Sequence, residues 1–456
     1  MNKIYTFVLM AFLAIGFVAC EDDDCGQWHI DTDLMGIPTV MKGTFPVGTL
    51  TPAVGDSIVF APQLLDTAGV TYVWELNGKE VSSDSAFTYK IEKPCRAKVV
   101  CTLKNAKGEV ILEADIVSKN DLTEGVVIIQ KGSVDYYDPK TGSLYPDVYS
   151  ALNYGNGIRM GSYDDLYATY MNGKLYMLLS TSTSNTEHLF SADAKTLYAE
   201  NSVIVGANLD GFLPLNDKQA LVLGGGAYRV DLSSFSKVTL LKKYGWAIYN
   251  GIIQHGKLLG NMTYSSPAKV EAYDVDALSS AAENEMPAPA TLDIWQDGKV
   301  NFVKAGDGNV YTIGCNEEQT EYYLVQIASD LTIKKEVLPF VPMRCGYGGI
   351  YTTGLAVAKN GNEIYIPAED QSVYKYTLGN MASLNAPFIA SPEGEEELSG
   401  AGINVNPQNG EIWVCYAEEV DWNEYTGKIV VFDTAGNKIK TIDCGDTAPQ
   451  AVLFNN

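Results

Sequence analysis

Two stretches near the end of the chain show the unit from which most of it is built: INVNPQNGEIWV at 403–414 and GKIVVFDTAG at 427–436. In the first stretch an apolar strand leads to a tight polar turn at 408–410, and a second apolar strand follows. In the second stretch a strand ends beside Asp433, and a turn leads to a last strand. A unit of four short strands with two tight turns predicts one blade of a β-propeller.

Both turns recur along the chain, which is the sequence signature of a repeat architecture. The first turn is found at 172–174, 216–218, 255–257, 307–309, 360–362 and 408–410. The second turn is found at 138–142, 193–196, 231–234, 274–276, 330–332 and 433–436. Successive first turns lie 39 to 53 residues apart, which suits a four-stranded blade. A helical solenoid of similar period would need longer stretches of 3.6-residue periodicity than this sequence offers.

The two ends of this region each carry part of a blade. The apolar segments 126–129 and 134–137 begin it without a preceding inner strand, and 451–454 ends the chain with one strand and nothing after it. Pairing these ends would remove two open sheet edges, which otherwise invite aggregation. We therefore predict an all-β protein in which residues 126–456 form a seven-bladed β-propeller closed by the C-terminal strand.

Residues 46–122 predict a small β-sandwich ahead of the propeller. Segment 70–76 (VTYVWEL) alternates with Trp74 facing inward, and the NG dipeptide at 77–78 predicts a tight turn. The stretch 72–79 (YVWELNGK) resembles the core strand of PKD-like and immunoglobulin-like (Ig) modules. Such a module beside an anchor implies a spacer, with glycan binding as the alternative.

The N-terminal segments predict export and anchoring signals rather than a folded domain. Residues 1–19 are an apolar run with a basic start, short for a membrane span and typical of a secretory signal. Its end, FVAC at 17–20, resembles a bacterial lipoprotein cleavage box with Cys20 as the lipidated residue. Residues 20–45 form an acidic tether and leader, and EDDD at 21–24 resembles the surface-export signal of Bacteroidota lipoproteins. We expect a surface-exposed outer-membrane protein held by its lipid alone; a plain signal peptide is the alternative.

Charge and composition exclude several classes of function. Lys and Arg number 32 against 56 Asp and Glu, so the net charge is -24, which argues against a nucleic-acid partner. There are only three histidines, and the phosphate-loop, HExxH and GxSxG motifs are missing. We therefore predict no enzyme, no catalytic residue, no metal site and no cofactor, with a propeller lyase or hydrolase using His188 or Glu418 as the alternative. The cysteines after Cys20 form no CxxC pair and are interpreted as buried free thiols.

Long, variable connections are expected on one face of the disc, opposite the tight turns. Binding residues concentrate in such loops on a rigid scaffold, and aromatic rings there offer flat contact area with polar tips. The candidate ligand-binding residues on these connections are Arg159, Tyr163, Asp164, Tyr244, Trp246, Trp295, Tyr347, Tyr351, Trp422 and Tyr425. For each ring, packing between blades is the alternative.

Several segments are similar to one bacterial family, most clearly VDYYDPKTG at 134–142, NGIRMGSYDD at 156–165 and TAPQAVLF at 447–454. With them, the region 126–456 resembles the surface-exposed seven-bladed propeller lipoproteins of Bacteroidota (YncE-like, DUF5074-type), of which the best understood capture vitamin B12. The resemblance implies ligand capture at the cell surface and transfer to a TonB-dependent outer-membrane transporter. It leaves the ligand open among a corrinoid, haem and a glycan. An adhesion or glycan-contact protein is the alternative.

Overall fold

The computed structural model describes most of the chain after residue 35. The described residues are 36–46, 48–119, 122–155, 158, 160, 165–180, 187–207, 209–246, 251–260, 267–297, 301–343, 354–391, 397–421 and 424–455. The predicted signal and Cys20 lie outside them. Among the described residues there is no helix with the length and apolar character needed to span a membrane.

Two compact units are present. One takes the residues up to Gly48, together with Val59–Tyr89 and Lys98–Asp115, and the other takes Thr49–Ile58, Lys90–Ala97 and Ile116–Asn456.

The strands of the N-terminal region form two sheets. The strands are β1 (Gly48–Leu50), β2 (Ser57–Phe60), β3 (Thr71–Leu76), β4 (Lys79–Ser82), β5 (Phe87–Lys90), β6 (Arg96–Asn105) and β7 (Gly108–Val117). One sheet has the order β1-β7-β6-β3-β4, and the other pairs β2 with β5.

The core of this first unit is built around Trp74, as the alternation on β3 predicts. Trp74 is fully buried, its ring lies 6.1 Å from Phe60 and 5.8 Å from Phe87, and its Nε1 donates to the carbonyl of Asp84 at 2.7 Å. The predicted turn follows at once, with Asn77 at a positive φ of 56°. A single buried indole therefore joins rings from β2 and β5 to the sheet that contains β3.

The second unit is almost entirely strand. Its strands are β8 (Val126–Gln130), β9 (Ser133–Asp138), β10 (Ser143–Tyr145), β11 (Asp165–Met171), β12 (Lys174–Ser180), β13 (Glu187–Asp193), β14 (Ala199–Gly206), β15 (Leu209–Asn216), β16 (Gln219–Asp231), β17 (Val238–Trp246), β18 (Ile252–Gln254), β19 (Lys257–Gly260), β20 (Ala268–Asp274), β21 (Ala290–Gln296), β22 (Val303–Lys304), β23 (Val310–Cys315), β24 (Tyr322–Ile327), β25 (Ile333–Val337), β26 (Ala356–Val357), β27 (Glu363–Pro367), β28 (Val373–Thr377), β29 (Glu397–Val405), β30 (Ile412–Asp421), β31 (Glu424–Phe432), β32 (Lys438–Gly445) and β33 (Pro449–Phe454). Short helices are α1 (Val148–Leu152), α2 (Val275–Ser280) and a 3-10 turn at Met381–Leu384.

Consecutive strands pair antiparallel into small sheets, which we number I to VII. Sheet I contains β33, β8, β9 and β10; sheet II, β11–β14; sheet III, β15–β17; sheet VI, β26–β28; and sheet VII, β29–β32. Strands β18–β25 form one eight-stranded sheet, but its halves are joined between β21 and β23 by the single residue pair Trp295 and Cys315. We therefore treat β18–β21 as sheet IV and β22–β25 as sheet V.

Strands in the middle of these sheets are buried on both faces. On β12, Leu175, Met177 and Leu179 belong to the apolar cluster shared with sheet I. The alternate residues Tyr176 and Leu178 belong to the cluster shared with sheet III. Because side chains alternate across a strand, one apolar run supplies two neighbouring cores.

The same arrangement continues through the unit and returns to its beginning. Pairs that share a cluster are Leu221 with Leu258 (III and IV), Ile294 with Val310 (IV and V), Ile313 with Ile364 (V and VI), Tyr365 with Ile412 (VI and VII), and Trp413 with Val126 (VII and I). Each sheet therefore packs on the next, and sheet VII packs on sheet I.

The C-terminal strand pairs with the first strand of the unit, as predicted. Strand β33 runs antiparallel to β8, with Val452 opposite Ile128 and Phe454 opposite Val126. Val452 is 1% exposed and lies in the cluster between sheets VII and I. Sheet I therefore contains residues from both ends of the unit.

The recurring turns are held by side chains that accept backbone hydrogen bonds. Asp433 Oδ1 accepts from the N–H of Ala435 at 2.8 Å, and Asn360 Oδ1 accepts from the N–H of Asn362 at 2.8 Å. This is the local geometry for which Asp and Asn are favoured in turns. Hydrogen bonds within these turns lower the pKa of the second-turn carboxyls; the main donors are side chains for Asp231 and Asp433 and backbone N–H groups for Asp274 and Asp330.

First and second turns lie side by side. The N–H of Ala194 in a second turn donates to the carbonyl of Gly173 in the first turn of the same sheet at 3.0 Å. First turns of neighbouring sheets also meet: Gly306 N–H donates to Gly361 O at 2.8 Å, and Gln254 Nε2 to Gly308 O at 3.0 Å. A Cβ at Gly306 would lie 3.0 Å from Gly361 O, so this approach requires glycine.

These contacts give every sheet the same orientation. Further links join sheets II and III (Asn172 to Asp217), III and IV (Asn216 to Ser279), VI and VII (Lys359 to the carbonyl of Gln408) and I and II (Asn455 to the carbonyl of Ala194). We call the edge that carries both sets of tight turns the turn face. The opposite edge, which carries the remaining connections, is the loop face.

A charged residue at Val452 should break the pairing of the chain ends. We expect Val452→Asp to lower the free energy of unfolding by at least about 3 kcal/mol, because it buries an unpaired carboxylate between two sheets. Ile439→Asp on β32 is the matched control, since Ile439 is 49% exposed and should change stability by about 0.5 kcal/mol or less. Denaturant unfolding measures both, and equal midpoints would show that this pairing is dispensable.

The turn aspartates should make stability depend on pH at the acid end. The lowered pKa of Asp433 means that its contribution is present above the ordinary aspartate pKa of about 3.9 and is lost as pH falls through the lowered value. Asp433→Asn keeps the acceptor oxygen without the charge, whereas Asp433→Ala removes both. We expect the melting temperatures of wild type and Asp433→Asn to converge as the pH falls below about 4 and through the lowered pKa, with Asp433→Ala lowest at each pH. A constant difference would contradict this account.

Candidate functional site

The loop face is the part of the second unit where the sequence predicts ligand contacts. Its described segments include the turn at 131–132, residues 316–321 and 368–372, the hairpin end at 417–421 and the connection at 445–449. Each lies where strands end opposite the tight turns. The predicted residues Arg159, Tyr163, Asp164, Tyr347, Tyr351 and Trp422 lie outside the described residues.

Trp295 lies on strand β21 rather than in a loop. Its half-buried ring packs against the cluster between sheets V and VI, and Lys269 Nζ lies 4.8 Å from the ring centroid. Asp293 Oδ2, on the same strand, pairs with Lys335 Nζ at 3.2 Å. This indole packs between sheets, which is the alternative that the sequence left open.

Tyr425 also lies on a strand, because the β30–β31 hairpin extends further than the sequence indicated. The two strands pair as far as Asp421 with Glu424. Tyr425 is 7% exposed and packs with Ala417 and Ala448. Two more predicted residues belong to strand β17, which ends at Trp246 and contains Tyr244; their side chains are not described.

His188 and His255 lie on opposite faces of the second unit. His188 is the second residue of β13, at the loop-face end, and burial lowers its pKa. His255 lies in a first turn, with a positive φ of 47°. Because the strands separate these two edges, His188 and His255 cannot act on one substrate.

The described loop-face segments are strongly acidic. Their carboxylates are Asp297, Glu317, Glu318, Glu321, Glu369, Asp370, Glu418, Glu419, Asp421, Glu424 and Asp446. In the same segments Lys131 is the basic residue, and its Nζ lies 5.4 Å from the Tyr425 ring. The runs NEEQTE, AEDQ and AEEVD were the sequence signal for this surface. A negatively charged surface attracts cationic ligands and repels anionic ones.

The described cysteines are buried, and Cys101, Cys315, Cys415 and Cys444 are free thiols, as predicted. Cys95 is buried as well. Burial raises the pKa of Cys101, Cys315 and Cys444 to about 12, so these thiols are poor nucleophiles at neutral pH.

Two surface grooves lie away from the predicted residues. The larger, about 740 Å³, runs along sheets II and III and is lined by Tyr228, Arg229 and Thr239 among others. The smaller, about 540 Å³, lies on the turn face beside Asp217 and Asp231. Among the described residues no three of His, Cys, Asp and Glu are grouped so as to hold a metal ion.

The strand order, the paired turns and the shared clusters can now be compared with known proteins. Residues 122–455 match the family described as "Domain of unknown function (DUF5074)". The chain belongs to the DUF5074 family. A quinoprotein alcohol dehydrogenase-like protein from Bacteroides thetaiotaomicron is 40% identical, with 92% of this chain and 99% of the other covered and a TM-score of 0.84.

Other solved structures are much more distant from this DUF5074 protein. The periplasmic gluconolactonase of Pseudomonas aeruginosa is 11% identical over 72% of this chain and 99% of its own, with a TM-score of 0.48. The β-propeller domain of Cps50 (Swd1) from Myceliophteria thermophila is 13% identical over 65% of this chain and 91% of its own, with a TM-score of 0.43. No curated protein matches the chain. The DUF5074 region is a β-propeller.

The packing role of Tyr425 can be tested directly. We expect Tyr425→Ala to lower the free energy of unfolding by about 3 kcal/mol, because it empties a buried ring site, while Tyr425→Phe has a much smaller effect. Tyr154→Ala is the control, since Tyr154 is 44% exposed. Denaturant unfolding is the measurement, and equal effects of the two alanine variants would contradict a packing role.

Proposed function

We propose that this DUF5074 protein is a cell-surface lipoprotein that binds a ligand on the loop face of its propeller without transforming it. The lipid on Cys20 would hold it in the outer membrane, and a TonB-dependent transporter would receive the ligand. The observation that carries the proposal is the common orientation of the sheets. It collects the variable connections on one face, while the turn face is fixed by short hydrogen-bonded turns.

We further propose that the propeller has seven blades, one for each of sheets I to VII, and that β33 closes the ring. The support is the order of packing, in which each sheet shares a cluster with the next and sheet VII shares one with sheet I. The N-terminal unit is proposed as a PKD-like spacer; the buried Trp74 on β3 supports that assignment.

The charge of the loop face narrows the choice of ligand. The excess of carboxylates in the described loop-face segments disfavours an anionic ligand such as haem, whose propionates would be repelled. A neutral glycan or a corrinoid meets no such penalty. Tethering beside a transporter would raise the local concentration of either one.

Ligand capture is tested by thermal shift of the mature chain with corrinoids, haem and glycans. A ligand that binds only the folded state raises the melting temperature by mass action, and we expect Trp422→Ala or Tyr347→Ala to abolish the shift. Asp276→Ala, on the turn face, should keep it. A shift unaffected by the loop-face variants would overturn the assignment of this face, and turnover of a chromogenic glycan would favour the lyase or hydrolase alternative.

Anchoring needs a separate experiment. We expect labelled palmitate to be incorporated by the wild-type chain but not by Cys20→Ala, and protease added to intact cells to cleave the wild-type protein. Protection from protease would contradict surface exposure. Surface exposure with no small-molecule shift in any ligand class would favour the adhesion alternative.

A further inference from the structure

Two carboxylates meet at the loop-face edge of sheet I. Asp135 on β9 is 1% exposed, and its Oδ1 accepts from the N–H of Asp147 at 2.8 Å and from the hydroxyl of Ser133 at 3.1 Å. Asp147 follows β10, and its own Oδ1 is buried without a hydrogen-bond partner. Burial, together with the charge of Asp147, raises the pKa of Asp135 against the effect of its hydrogen bonds. Neither carboxylate forms an ion pair within the described part of the chain.

A buried amide lies beside these carboxylates. Gln130, the last residue of β8, is 1% exposed, and its Nε2 donates to Asp135 Oδ2. Its Oε1 is buried and has no hydrogen-bond partner. Gln450 enters β33 next to Pro449, which pairs with Gln130, and the Oε1 of Gln450 is also buried and unpartnered. The structure therefore has three buried oxygens without donors at the end of one small sheet.

These buried oxygens destabilise the fold unless a positively charged group lies among them. A buried polar atom left without a partner destabilises the fold, and a buried carboxylate destabilises it more unless it is paired. Carboxylate and amide oxygens, without nitrogen or sulfur, are the ligands that Ca²⁺ prefers.

We propose that Asp135, Asp147 and Gln130 bind a divalent cation of the Ca²⁺ class, with Gln450 as a further oxygen donor. The residues come from β8, from β9, from the connection after β10 and from β33. Binding would therefore link the C-terminal strand to the rest of sheet I and stabilise the pairing of the chain ends. The site lies at the loop-face edge of sheet I, beside the proposed ligand surface, but cation binding there does not depend on a ligand occupying that surface.

The test uses the mature chain, stripped with EDTA and then titrated with Ca²⁺ or Mg²⁺. We expect millimolar Ca²⁺ to raise the melting temperature by at least about 2 °C, and Tb³⁺ to bind with a rise in luminescence that Ca²⁺ reverses. Asp147 has a positive φ of 49°, which asparagine tolerates. Because asparagine lacks the charge, Asp147→Asn should remove both responses. Gln130→Met is a second variant: it keeps both carboxylates but removes one proposed oxygen ligand, so it should weaken both responses. Asp446→Asn, an exposed loop-face carboxylate, should respond as wild type does.

Three outcomes would overturn the proposal. One is an equal melting temperature of the wild-type chain in EDTA and in Ca²⁺, with no Tb³⁺ binding. Another is a Ca²⁺ response that survives in Asp147→Asn, which would place the cation elsewhere. The third is stabilisation by mild acid in place of Ca²⁺, which would mean that a proton occupies the pair. Far-UV circular dichroism confirms that each variant is folded before it is scored.

Discussion

The pairing of β33 with β8 is the contact on which the second unit depends. It joins strands from the two ends of the DUF5074 region, so no contact between residues that are close in sequence can replace it. Val452 and Ile128 face each other across this pair, and both belong to the cluster between sheets VII and I. Without β33, β8 would present an open edge and that cluster would lose one of its walls. Sheets VII and I would then lose the apolar contact that they share.

Much of this could be predicted from the sequence because its signals are local. Turn aspartates such as Asp433 and turn glycines such as Gly361 determine the backbone conformation within a few residues. The repeat pattern left the apolar segments 126–129 and 451–454 as two strands that could pair only with each other. Hairpin length was not predictable in the same way. The stretch around Tyr425 is polar and reads as a loop, but the strands continue to pair because backbone hydrogen bonds do not require apolar side chains.

The cluster around Asp135 also could not be predicted from the sequence patterns. VDYYD at 134–138 reads as an ordinary strand, and nothing local indicates that Gln130 and Asp147 lie beside its first aspartate. The available signal was Asp135, an aspartate placed between Val134 and Tyr136 inside the strand and not in its turn. The turn of the chain after β10 brings Asp147 back to it, and that turn is set by packing between sheets I and II.

The two-sided burial of the strands also determines where function can vary. A residue such as Met177 or Ile366 contacts one of two neighbouring cores and is fully buried, so most changes there would destabilise the fold. The turn face is constrained as well, since its turns touch one another across sheets. Among the described residues, the loop-face connections lie outside the contacts between tight turns. A relative that is 40% identical can therefore share the scaffold while its loop-face connections differ, so the ligand proposed for this chain does not follow from the shared fold.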